Sequence, residues 1–105
     1  MTLQQFENGL KEACPGLIYE LAGPKGCHRY VCWHRYGYNS SFADDQNQID
    51  APKVQVDIHT QSMADTLVDD VCTALRGMGI PYAIQSEGYD DEYADIRTIL
   101  QLVVI

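Results

Sequence analysis

Hydrophobic and polar positions change period several times along the chain. Leu3, Phe6, Leu10 and Ala13 recur at three- and four-residue spacing, which predicts an amphipathic helix. Thr2-Leu3-Gln4-Gln5 reads as a capping box, with the Thr2 hydroxyl accepting from the amide of Gln5 and the Gln5 side chain reaching back. Pro15-Gly16 stops the helix. Leu17 to Leu21 reads as a short strand, and Gly23-Pro24-Lys25-Gly26 as a turn or bulge. From His28 to Tyr36 a second strand would place His28, Tyr30, Cys32, His34 and Tyr36 on one face and Arg29, Val31, Trp33 and Arg35 on the other. Val31 and Trp33 are expected in the core, and the tyrosine–histidine face toward a subunit or solvent. In the third strand, Lys53 to Thr60, Val54, Val56 and Ile58 point one way while Gln55, Asp57 and His59 point the other. The polar stretch 37–48 between these strands is too long for a tight hairpin. A connection of that length in a small domain predicts a task, such as gripping a neighbouring subunit.

The second half repeats the alternation of helix and strand. Ser62 is a good N-cap, with Asp65 three residues on, and Met63, Leu67, Val71, Ala74, Leu75 and Met78 supply an apolar helix face. Gly77 and Gly79 offer the closing left-handed conformation. Ile80, Tyr82 and Ile84 alternate in a fourth strand, 87–95 reads as an acidic loop, and Ile96 to Ile105 as the last strand. That strand buries Ile96, Leu100, Leu102 and Val104 but carries Ile99, Val103 and Ile105 on its reverse, a pattern expected of a strand covered on both sides. The predicted class is α+β in the order α-β-β-β-α-β-β. One largely antiparallel sheet of four to five strands would carry both helices on one face, and its other face would be open to subunit contact. Residues 1–105 are expected to form a single domain.

Charge sharpens this picture. The net charge is −8, distributed as −1 over residues 1–56 and −7 over 57–105, where only Arg76 and Arg97 are basic. Such a surface repels phosphate and argues against gripping nucleic acid through a basic face. No secretory n-region and no apolar run near the ~18 residues of a membrane helix is present, so a soluble protein made in the cytosol, away from membranes, is expected.

The four cysteines, Cys14, Cys27, Cys32 and Cys72, form no CxxC pair and read as small core hydrophobes kept reduced. Cys27, His28, Cys32 and His34 are the best metal candidates in the sequence, because thiolate and imidazole are zinc ligands. Alternate residues on one strand lie ~7 Å apart, however, so His28, Cys32 and His34 cannot easily converge on one tetrahedral ion. Packing and surface roles are expected instead, with no metal or other cofactor. No local signature marks a cysteine nucleophile, and the acidic loop lacks the alternating ligands and central glycine of a calcium loop.

One run carries more. Tyr30-Val31-Cys32-Trp33-His34-Arg35-Tyr36-Gly37-Tyr38-Asn39-Ser40-Ser41-Phe42-Ala43-Asp44-Asp45 resembles a signature of the small tail-completion proteins of long-tailed bacteriophages and prophages. There a strand with an aromatic leads into a polar loop ending in an aromatic followed by Ala-Asp-Asn or Ala-Asp-Asp. The strand 54–60, the helix around 64–78, Gly79-Ile80-Pro81-Tyr82 and Glu87-Gly88-Tyr89-Asp90 follow in the same order as in that family. The likeness covers roughly residues 17–105. It implies a non-enzymatic tail terminator or head–tail joining subunit. Such a subunit forms a hexameric ring, caps the tail-tube protein and docks to the head connector, passing from the host cytoplasm into the tail or neck of the virion. On this reading Tyr38, Phe42, Asp44 and Asp45 of the long connection, with Ile99, Val103 and Ile105 of the last strand, are the candidate subunit interface. The rival expectation is a ligand-binding or regulatory domain of ferredoxin-like build with a cleft near Trp33, Tyr36 and Tyr38. A small metal-dependent enzyme is a third.

Overall fold

The computed structural model describes residues 1–41 and 49–104, and the side chains of 39–41 and 49–50 are not among the features described. The elements run α1 (Leu3–Ala13), β1 (Ile18–Glu20), β2 (Tyr30–Ser41), β3 (Ile49–Thr60), α2 (Leu67–Gly77), β4 (Tyr82–Asp90) and β5 (Asp95–Val103). The fold is α+β in the order read from the sequence. Its five strands lie side by side as β1-β2-β3-β5-β4, antiparallel except for the β1–β2 pair.

The helices cover one face. Phe6 and Leu10 of α1 and Leu67, Val71 and Leu75 of α2 close over Val31, Trp33, Val54, Val56, Ile58, Leu100 and Leu102. Register explains the selection: Trp33 pairs with Val56, and Val56 with Leu100, so one row of side chains crosses three strands on the same face. Trp33 meets Phe6 edge-on at 5.6 Å, and its indole N–H donates to Glu7 at 3.1 Å, which lets a nitrogen-bearing ring sit in the core. The capping box of α1 is present: Gln5 N–H donates to Thr2 Oγ1 at 3.1 Å and Thr2 N–H to Gln5 Oε1 at 2.9 Å.

Four expectations change. α2 starts at Leu67, not after Ser62: Ser62 Oγ accepts from Ala64 in a separate turn, and Asp65 Oδ1 accepts the Leu67 amide. Met63 therefore lies outside the helix, 67% exposed, rather than on its apolar face. The stretch 37–48 is not all connection, because β2 continues to Ser41 and β3 begins at Ile49, with Ser41 opposite Ile49. The β2–β3 pairing shifts register at a bulge between Arg35 and Gly37. The acidic loop shrinks to a turn at 91–94 between β4 and β5, with Asp90 Oδ1 accepting from the amides of Glu92 and Tyr93. β5 lies between β3 and β4 in the sheet, with Leu100 and Leu102 under the helices and Ile99 and Val103 half-buried on the face away from them.

The parallel β1–β2 pair has a consequence. Parallel neighbours need a return path, and none of the usual crossover helix is present in 21–29. The segment passes instead over the face opposite the helices. An added Cβ at Gly23 would overlap the ring of Tyr30, so only glycine permits this close approach. One end of the supposedly open face is thus roofed by the chain itself. Tyr30, Cys32, Asp57 and His59 are buried there rather than facing a subunit or solvent. No helix among the described residues is long and apolar enough to cross a membrane.

Candidate functional site

The roof and the β4–β5 turn enclose a cleft of about 620 Å³. Its floor is the polar face of three strands, set by register: Cys32 lies opposite Asp57, and His59 opposite both Tyr30 and Arg97. Two chains of charged groups meet there. Arg97 Nη2 donates to Asp57 Oδ2 at 2.7 Å and its Nη1 to Asp90 Oδ2 at 3.5 Å, while Gln55 Nε2 donates to Asp57 Oδ1 at 3.0 Å. Asp95 lies between two imidazoles, 2.9 Å from Nδ1 of His59 and 3.6 Å from Nδ1 of His28. His28 Nδ1 and Asp95 Oδ2, though buried, have no hydrogen-bond partner, and neither does Arg97 Nε.

Aromatic rings fix the imidazole of His59. Tyr30 stacks on it with centroids 4.4 Å apart and planes 16° apart, and Tyr93 meets it at 5.0 Å. Arg97 lies over the Tyr93 ring at 5.5 Å. Burial, and then the charge of Asp57, push the Cys32 thiol up to about 11, against a smaller opposing effect of Arg97. Burial likewise raises the Tyr30 phenol to about 12. For Arg97, burial is the largest single effect and works against the charged form, but the bonds to Asp57 and Asp90 with the charge of Asp57 together outweigh it, and the guanidinium is held above its ordinary value. Leu21 and Ala94, the non-glycine residues with positive φ (70° and 54°) among those described, both line the cleft.

The cluster Cys27, His28, Cys32 and His34 does not form one site. His28 points to Asp95, and His34 lies partly exposed with its ring 6.4 Å from Tyr36. Across the strands the outcome differs: Cys32 Sγ, a carboxylate oxygen of Asp57 and a ring nitrogen of His59 all lie within 4.8 Å of one another. Asp57 and His59 were legible as polar-face residues of a strand, but Asp95 was hidden in an acid-rich run expected to be solvated. It is buried.

The ligand cleft expected near Trp33, Tyr36 and Tyr38 is not assembled from those residues. Trp33 is in the core under α1, whereas Tyr36 is exposed and shares a shallow groove with Tyr82 and Val103. Of the candidate interface residues, Tyr38 is 52% exposed, with the Arg35 guanidinium 5.0 Å from its ring centre. Ile99 and Val103 are half-buried on β5. Phe42, Asp44, Asp45 and Ile105 lie outside the described residues. Comparison with protein-family models finds no match, and comparison with curated proteins finds none either.

Proposed function

We propose that the chain is a subunit of a ring that terminates a bacteriophage tail or joins it to the head, contacting further copies of itself, the tail-tube protein and the head connector. The single observation that carries the reading is the far end of the β2–β3 pair. β5 pairs with β3 only between Lys53 and Thr60, and β1 reaches β2 only between Val31 and Trp33. Asn39 to Ser41 and Ile49 to Ala51 therefore pair only with each other among the described residues, in a two-stranded ribbon leaving the sheet.

Such a ribbon is marginal in water by itself, so a surface of another molecule is the natural place for it to lie. Tyr38 stands at its base, and a docked tyrosine buries on the order of 150–250 Å². The outer edge of β4 is also without a strand neighbour among the described residues, and Ile84 and Tyr89 on it are exposed. A projecting arm at one side and an open edge at the other suit head-to-tail contacts that close into a ring. The sequence likeness to tail-completion proteins supplies the identity of the ring and its hexameric count.

Electron microscopy of the purified protein, alone and mixed with tail tubes lacking their terminator, tests this directly. Rings of six seated on tube ends are expected. A monomer that leaves tube ends bare would overturn the proposal. The second reading, a ligand-binding domain, is favoured by the enclosed polar cleft, and would instead give a monomer whose melting temperature rises with a small-molecule ligand.

A further inference from the structure

We propose that Cys32, Asp57 and His59 form a three-ligand site for a zinc-class divalent metal ion, with its fourth coordination position open to the cleft. The donor set comes first. Thiolate, imidazole and carboxylate together suit a borderline-soft ion such as Zn²⁺ or Co²⁺ and not Mg²⁺ or Ca²⁺, which take oxygen ligands. All three side chains are buried, and they sit on adjacent strands with Cys32 directly opposite Asp57 and His59 two residues further along the same face. Their ligand atoms lie within 4.8 Å of one another. Around a tetrahedral ion with bonds of ~2.0–2.3 Å such atoms are ~3.3–3.8 Å apart, so closure takes about 1 Å of side-chain movement.

Outer support is independent of the ligands themselves. Metal-bound imidazoles commonly give their second nitrogen to a carboxylate, and Asp95 sits 2.9 Å from Nδ1 of His59, which leaves Nε2 for the ion. Asp57 is similarly held, by Gln55 and Arg97. Charge favours a cation as well. Counting imidazoles as neutral, Asp57, Asp90 and Asp95 face the single guanidinium of Arg97, and one Asp95 oxygen has no hydrogen-bond partner. The remaining side of the cluster is the cleft, which Cys32, Asp57 and His59 all line. Three protein ligands and one solvent-facing position is the arrangement of exchangeable or catalytic zinc sites, not of closed structural ones.

The test is titration of the apo-protein with Co²⁺, followed by competition with Zn²⁺. One equivalent per chain should bind, with a near-ultraviolet thiolate-to-cobalt charge-transfer band and tetrahedral d–d bands, both displaced by Zn²⁺. Cys32→Ser should abolish the charge-transfer band, and Asp95→Asn should weaken binding about 10–100-fold, the effect typical of losing such a support. Cys27→Ser and His34→Ala, which alter neighbours lining the same cleft, should bind normally. Wild-type protein that binds no Co²⁺, or binds it without a thiolate band, overturns the proposal even if the variants fail to fold. So does a thiolate band that survives Cys32→Ser or disappears in Cys27→Ser. Rapid alkylation of Cys32 that depends on His59, with no metal bound, would identify the pair as a reactive thiol and imidazole and would also reject the metal site.

Discussion

Nδ1 of His59 lies 2.9 Å from Oδ1 of Asp95, and both side chains are almost wholly buried. An ionised carboxylate only accepts, so the contact puts a proton on Nδ1 and fixes the ring's tautomer. The pair also fastens β3 to the start of β5 on the side of the sheet that the helices do not cover. Removing its acceptor should therefore cost stability.

Asp95→Ala leaves the buried imidazole without its partner and is expected to destabilise by about 1–3 kcal/mol. Asp95→Asn keeps an acceptor in place and should cost clearly less. Urea unfolding of both variants checks the order. Equal stability of Asp95→Ala and the wild type would mean that water reaches His59.

The helix-covered face gives a second expectation. Val56 is fully buried between Trp33 and Leu100 in register, so Val56→Asp would strand a charge in the core. The cost is several kcal/mol against about 5–15 kcal/mol for a whole domain, enough to give insoluble or unfolded protein. Gln55→Asp, one residue away on the opposite face, should remain soluble. Soluble, cooperatively melting Val56→Asp protein would contradict the packing described here.

How much of this was legible follows the physics of each signal. Val54, Val56 and Ile58 announced their face by strict alternation, and Thr2 with Gln5 announced a helix start, because both patterns are local. Asp57, His59 and Asp95 were not recognisable as a cluster, because it depends on a register between strands far apart in sequence. Asp95 was further disguised by its acidic neighbours. Burial of Cys32 was expected from residue type, but that of Tyr30 depends on the 21–29 return passing over it, and a parallel β1–β2 pair leaves no mark in hydrophobic periodicity. Ser62 misled for a simpler reason: a hydroxyl can cap a turn as readily as a helix.

Acid sensitivity should trace partly to Arg29 and Asp65. The guanidinium donates twice to the carboxylate, at 2.8 and 3.1 Å, and this bond, against a smaller opposing effect of burial, holds Asp65 below its ordinary 3.8. With the folded value below the unfolded one, the unfolded chain binds more protons in that interval. The contribution is complete above about pH 4 and is lost as pH falls through the folded value. Asp90 is lowered in the same direction: desolvation is the largest single effect and opposes it, but the amide bonds from Tyr93 and Glu92 together with the Arg97 guanidinium outweigh it. Because Arg29 is about half exposed, the pair is worth only about 0.2–1 kcal/mol. Arg29→Met should lower stability by that amount at pH 7 and by nearly nothing at pH 2. A deficit that persists undiminished at pH 2 would assign the effect of Arg29 to packing.

The ribbon supplies the final prediction. Tyr38 stands exposed at its base, and Phe42 follows shortly after it in the chain, so a Tyr38→Ser, Phe42→Ala variant removes the aromatic groups best suited to dock on a neighbour. Tyr38 is not part of the helix-covered core, whose described members on β2 are Val31 and Trp33. Circular dichroism and thermal melting should match the wild type, while rings fail to form and tails assembled with the variant lose their regular length. The contrast between intact fold and lost assembly separates a docking role from a structural one. Normal rings and tails of regular length would free the ribbon from this role and move attention to β5, where Ile99 and Val103 lie half-buried beside shallow grooves. An Ile99→Ser, Val103→Ser variant would then be the one to abolish assembly, because each loses apolar area on the sheet face away from the helices while Leu100 and Leu102 keep the core closed.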